Sequence, residues 1–206
     1  MGVIAELPKI LTESRKSYEK IKVSETNFSC DAILGGCPEQ QSSVLGEEER
    51  SFYPENLLAV GDNSAFMEYL IRERDFAGKI QMIYIDPPFF SRSNYSTDLK
   101  VSSEKLGTLP KMKQFAYHDV WETGMEEYLR MLCLRLFQIH ELLSDTGCLW
   151  VHLDWHSVHY VKILLDEIFG EKNFINEIVW NYKSGGSSSR HFARKHDTLL
   201  FYAKTK

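Results

Sequence analysis

Apolar residues along this chain repeat at two spacings, and the switches between them mark out a fold. Over 124–147, "GMEEYLRMLCLRLFQIHELLSDTG", Tyr128, Leu132, Leu136, Ile139 and Leu143 recur three or four apart. That spacing predicts a helix with one buried stripe, ended in the turn at Gly147. The same rhythm predicts a helix over 157–170, with Val158, Val161, Leu165 and Ile168 inward and Gly170 as its stop. A shorter helix is predicted over 64–74, with Phe66, Tyr69 and Leu70 on one face. Compact apolar runs predict strands at 56–60, 79–85, 148–153, 174–182 and 197–203. The run "KIQMIYI" at 79–85 is unbroken, the pattern of a strand buried on both faces.

Strands alternating with helices predict an α/β fold: a doubly wound, mostly parallel sheet with helices on both faces. The last two strands follow one another without a helix, so the final pair is expected to be antiparallel at the sheet edge. Residues 1–50 keep no such rhythm and read as an N-terminal arm, helical at 9–21 and otherwise irregular, leaving 51–206 as the core domain. The polar stretch 91–124 reads as a long loop.

Composition narrows the class. The 206 residues are 43% hydrophobic and 13% aromatic, enough for one domain with a sizeable core. No run approaches the roughly 18 apolar residues of a membrane helix, and "MGVIAELPKI" has neither a basic flank nor an apolar h-region, so a cytoplasmic protein is expected. Cys30, Cys37, Cys133 and Cys148 form no C-x-x-C pair, which argues against a zinc or disulfide framework. The net charge of −5 does not announce a nucleic-acid binder. The charge is uneven, however. From Trp180 onward, Lys183, Arg190, Arg194, Lys195, Lys204 and Lys206 face only Asp197, which points to one localised anionic contact.

Candidate chemistry gathers at strand ends, where open α/β sheets place their sites. Asp62, Asp86 and Asp154 each stand at or just past one. The sharpest of these is "IDPPFF", in which Asp86 is followed by Pro87, Pro88, Phe89 and Phe90. Proline fixes its own φ, lacks an N–H and restricts the residue before it. Asp86 and the two proline carbonyls are therefore stiff acceptors with few competing donors, and a flat ring follows at once. A planar group bearing an exocyclic NH2, such as a nucleobase, suits that corner. The bland alternative is a tight turn with the phenylalanines in the core.

"DPPF" after an apolar strand resembles the catalytic motif of S-adenosylmethionine-dependent DNA amino-methyltransferases. "LLAVGDN" before it, "LLSDTGCLWVHLDWHSVHYVKILLDEIFGEKNFINEIVWNYKSGG" after it and "RKHDTLLFYAK" at the end extend the likeness from about residue 55 to 206. The ordered set resembles the permuted (β-class), type III modification-subunit-like family of adenine-N6 enzymes with a Rossmann-like core. The resemblance implies that a target adenine is flipped out of double-stranded DNA. Asp86 and the Pro87 carbonyl would accept its N6 hydrogens, with Phe89 stacked on its face. Pro88 completes the motif. Transfer would be direct, helped by positioning and electrostatics. The resemblance also assigns Asp62, alongside Asp86, to the cofactor side. A helix cap is the competing reading of Asp62.

One departure stands out. No F-x-G-x-G occurs, so the Gly-rich donor loop of the family and most of its target-recognition region have no counterpart in this sequence. The reading is therefore of an N-terminal catalytic portion, incomplete at its C-terminal side, that binds S-adenosylmethionine poorly alone. Expected partners are duplex DNA, a restriction subunit or the missing half, and a second copy of the chain. Family usage of Ser before the two prolines for cytosine makes Asp86 an argument for adenine over N4-cytosine. A non-catalytic remnant binding DNA or a partner is the alternative of another class. Lys183, Arg190, Arg194 and Lys195, in the Gly/Ser loop 183–196, are expected to contact phosphates. His152, Asp154, His156 and His159 crowd one segment, yet a strand and a helix split them, so no metal site is assigned.

Overall fold

The computed structural model describes residues 2–23, 58–99, 102–103, 107–108, 112–183 and 189–205. Its elements in chain order are helix α1 (Val3–Val23), α2 (Asn63–Arg72), strand β1 (Ile80–Ile85), β2 (Asn94–Leu99), β3 (Ser102–Ser103), β4 (Gly107–Thr108), β5 (Met112–His118), α3 (Met125–Leu142), β6 (Leu143–Asp154), α4 (Val158–Phe169), β7 (Phe174–Asn181) and β8 (His196–Ala203).

Four strands form the sheet, in the order β1-β6-β8-β7. β1 and β6 are parallel and joined through α3, while β6–β8 and β8–β7 are antiparallel. The α/β class holds. Among the described residues the sheet is not mostly parallel as expected, because two of its three pairings run antiparallel. The turn from α3 into β6 needs Gly147: a Cβ there would sit 2.8 Å from the Ile80 carbonyl oxygen and 2.9 Å from that of Ser144. Gly170 ends α4 at φ 90°, a conformation that L side chains rarely adopt.

The core lies on one side of the sheet. Leu149, Val151 and Leu153 of β6, with Leu200 and Tyr202 of β8, pack beneath Tyr128, Leu132 and Leu136 of α3 and Val161, Leu164 and Leu165 of α4, all essentially buried. Burial holds the Cys133 thiol up at about 11, so it behaves as an inert apolar filler. Helix α1 lies across α3, burying Leu7, Ile10 and Tyr18, and the Tyr18 hydroxyl donates to Glu141. The helical part of the expected arm is thus built into the core. The expected boundary at 50/51 lies outside the described residues, as do Cys30 and Cys37.

The other side of the sheet carries no helix among the described residues. Met82 and Tyr84 of β1 and Trp180 of β7 are more than half exposed there, and Trp150 stacks on Phe201 at 4.1 Å. Expected burial of 79–85 on both faces is therefore corrected, as are helices on both faces. β1 is an edge strand here, and an unbroken apolar run reports how apolar a strand is, not which faces are covered.

Two further expectations change. Of 56–60, only 58–60 are described; they make an isolated bridge at Leu58 instead of a sheet strand, and Val60 is 91% exposed. The stretch 91–124 is not structureless: β2 pairs antiparallel with β5, and β3 with β4.

Candidate active site

The parallel pairing of β1 and β6 sets Ile85 against Val151, so the next residues, Asp86 and His152, emerge side by side at one end of the sheet. The antiparallel pairing of β6 and β8 sets Asp154 against Asp197 at that same end. The rim therefore holds Asp86, His152, Asp154 and Asp197.

Asp86 is 57% exposed. His152 stands beside it and links both sides of the rim. Its Nε2 lies 3.2 Å from Asp197 Oδ2, and its Nδ1 lies 3.0 Å from the Tyr84 hydroxyl. Tyr182 donates to the other Asp197 oxygen at 3.2 Å. A carboxylate only accepts, so a bond from His152 to Asp197 takes its hydrogen from Nε2. Burial, then the Asp86 and Asp197 carboxylates, hold the Tyr84 phenol above its ordinary range, so its hydroxyl keeps its hydrogen beside Nδ1. Asp86 Oδ1 lies 3.6 Å from Nδ1, beyond hydrogen-bond reach, and the Asp86 carboxylate stays open to solvent.

Phe89 is half-buried, with its ring 5.4 Å from that of His152 and tilted by 59°. Phe90 turns the other way: it is 4% exposed and rests against Tyr128. The two phenylalanines thus divide the two readings of the motif, one at the rim and one in the core. Phe90 has φ 66°, a strained value for an aromatic residue.

What holds that strain is Asp119, 1% exposed, at the end of β5. Its carboxylate accepts from Phe90 N at 3.1 Å, Ser91 N at 2.6 Å, Ser91 Oγ at 2.7 Å and Trp121 Nε1 at 3.1 Å. A buried charge is tolerable only with this degree of satisfaction. The sequence reading missed Asp119 because it lies in a stretch taken for loop.

Asp62 does not reach the rim on a strand. Its Oδ1 accepts from Ala65 N at 2.9 Å as the cap of α2, and its Oδ2 pairs with Arg135 at 3.2 Å. Asp62 thus acts as a helix cap paired with Arg135, its side chain still exposed. Asp154 shapes the turn into α4, taking the His156 N–H at 2.8 Å and facing His156 Nδ1 at 2.6 Å.

The cationic loop arrives at the same end. Tyr182 N donates to Lys195 O at 3.1 Å at its base. The Arg194 guanidinium sits 3.9 Å over the Trp155 ring, whose other neighbour is His156 at 3.6 Å. Lys183 and Arg190 are exposed and Lys195 half-buried, while 184–188 lie outside the described residues. A cleft of about 730 Å3 beside α1 is lined by Leu7, Leu11, Phe137 and Ile163, and no rim residue borders it.

A rigid, acceptor-rich corner with an adjoining ring and a cationic loop has the donors and acceptors to take an amine on a planar group. Residues 80–206 match the family model described as DNA methylase, and the chain belongs to that N6/N4 methyltransferase family. Among curated proteins it is similar to the type III restriction-modification enzyme EcoP15I Mod subunit of Escherichia coli, 27% identical over 208 residues, covering 95% of this chain and 32% of that protein. It resembles the type II methyltransferase M.KpnI of Klebsiella pneumoniae at 33% over 147 residues, covering 71% of this chain and 32% of that protein. The StyLTI Mod subunit of Salmonella typhimurium is 28% identical over 205 residues, covering 92% of this chain and 29% of that protein. The chain spans about a third of the length of these relatives.

Proposed function

We propose that this chain is the adenine-gripping portion of a DNA adenine-N6 methyltransferase of a restriction–modification system. The observation that carries the reading is the state of Asp86. It ends an apolar strand, is stiffened by Pro87 and Pro88, remains more than half exposed and has its neighbour His152 Nδ1 at 3.6 Å, beyond hydrogen-bond reach. An extruded adenine would place its N6 hydrogens on Asp86 and the Pro87 carbonyl, with Phe89 against its face. Acceptance by a carboxylate raises electron density on N6, which favours attack on an electrophilic methyl group. S-adenosylmethionine would supply that methyl group, held largely by residues of the family's Gly-rich loop, which has no counterpart in this sequence. Residues 51–206 would form the core of a doubly wound fold, with 1–50 contributing helix α1 to it. Duplex DNA and a restriction subunit are the partners this reading requires, with cytoplasmic residence; no described helix is long and apolar enough to cross a membrane. N4-cytosine is the second substrate to test, because the family model covers both amines.

The test compares duplexes bearing adenine, or purine without the amine, opposite a mismatched base. Binding by anisotropy should favour adenine about tenfold, the worth of one hydrogen bond to a charged acceptor. Asp86→Ala should erase the preference. Equal preference in both proteins would overturn the reading, and a preference for mismatched cytosine would transfer it to N4 chemistry.

A further inference from the structure

Phe192 is 99% exposed, and it sits between Arg190 and the Arg194-Lys195 pair. Residues 189–195 contain three cations and no acid. An apolar ring held in water has no folding purpose, and its charged neighbours make a protein core or lipid tail a poor destination. The exposed side of the sheet, with Met82, Tyr84 and Trp180, is a separate apolar surface built from strands.

Position decides what Phe192 faces. The loop begins beyond Asn181 and ends at His196, the strand ends that lie beside Asp154 and Asp86. It is tethered at two points close to the ring, by Arg194 on Trp155 at 3.9 Å and by Lys195 O to Tyr182 N at 3.1 Å. Phe192 is two residues from the first tether, so it projects from an anchored base at the same rim as Asp86.

We propose that Phe192 is a wedge that enters the base stack of duplex DNA next to the base taken by Asp86, while Arg190 and Lys195 lie along the flanking phosphates. Extruding a base leaves a gap and an unstacked neighbour. An aromatic ring inserted at the step covers the neighbour's face, and cations on either side offset the phosphate charge drawn close. The inference rests on the reading of Asp86 as the base-holding residue.

The test uses the 206-residue chain and a duplex carrying 2-aminopurine beside an A·A mismatch. Stacked 2-aminopurine is dim and brightens when its neighbour is removed. The unaltered protein should raise the emission on binding. Phe192→Ala should weaken binding about tenfold, as expected for losing one base–aromatic stack, and leave the emission at its free-duplex level when the duplex is saturated. Phe192→Leu should restore part of the rise. Phe192 is fully exposed, so the thermal midpoint of each variant should match that of the unaltered chain. Asp86→Ala should lose the preference for adenine over purine yet keep the emission rise. The wedge is overturned if Phe192→Ala brightens the duplex as the unaltered chain does, or if the unaltered chain binds without brightening it. A normal adenine preference in either case leaves the Asp86 reading standing. Failure to bind DNA at all overturns both.

Discussion

Asp119→Ala should damage this protein more than any change at Asp86, although Asp119 touches no base. The substitution removes the acceptor for two backbone N–H groups, one hydroxyl and one indole N–H. A hydrogen bond to a charged acceptor contributes about 1.5–3 kcal/mol, and an abandoned buried donor costs a similar amount. Ser91 is only partly buried, so water replaces its two bonds at a small net loss. The Phe90 N bond is buried and the Trp121 Nε1 bond partly so, and Phe90 also carries the strain of φ 66°. These terms sum to about 3–5 kcal/mol. With a urea slope of about 2 kcal/mol per molar, the midpoint of unfolding followed by tryptophan fluorescence should fall by about 1.5–2.5 M. Asp119→Asn keeps one good acceptor and turns an NH2 toward a donor, so it should lie between. A fall of less than about 0.5 M for Asp119→Ala, with an unchanged slope, would refute the idea that Asp119 holds the turn.

His152 and His140 yield different expectations. His152→Ala removes the strut that joins Asp197 to the neighbourhood of Asp86 and Phe89; the adenine-over-purine preference should fall about fivefold, equivalent to about 1 kcal/mol. His152→Gln, which keeps a donor for Asp197, should recover part of it, and equal losses in the two variants would show that the strut is not the cause. His140 packs against Phe169 at 5.0 Å, and burial, with Lys204 nearby, depresses its imidazole below the ordinary range. The folded chain then holds fewer protons than the unfolded one. Stability is full above the unfolded imidazole value of about 6.5 and falls as pH drops through that value toward the folded one. Urea midpoints taken from pH 8 to 5 should show the decline, and His140→Gln should flatten it.

The parts of the structure legible in the sequence are those where one physical demand dominates. The stripe Tyr128, Leu132, Leu136 and Ile139 is buried on α3, because the helix packs on the sheet, while Leu143, expected on the same helix, is the first residue of β6. β7 and β8 begin and end within a residue of expectation, since Gly170 and the Gly/Ser loop bound them. The IDPPF corner was legible because proline writes its geometry into the chain. His152 was visible only as a member of a crowded segment. Its use depends on which residues β1 and β8 bring alongside, and register across strands is not local information. β2 and β5 escaped because their pairing is made by backbone groups, which the side-chain pattern of 91–124 does not report. Asp62 was legible as a choice between two roles, and its bond to Ala65 N takes the helix-cap side.

The stretch between Ser93 and Asp119 is stitched shut where it leaves the body of the molecule. Asp119 N donates to Ser93 O, and the pairing of β2 with β5 starts at the next residues, Asn94 and His118. A change confined to the far end of that excursion would leave in place the Asp119 bonds that pin Phe90 and Ser91 beside the proline corner.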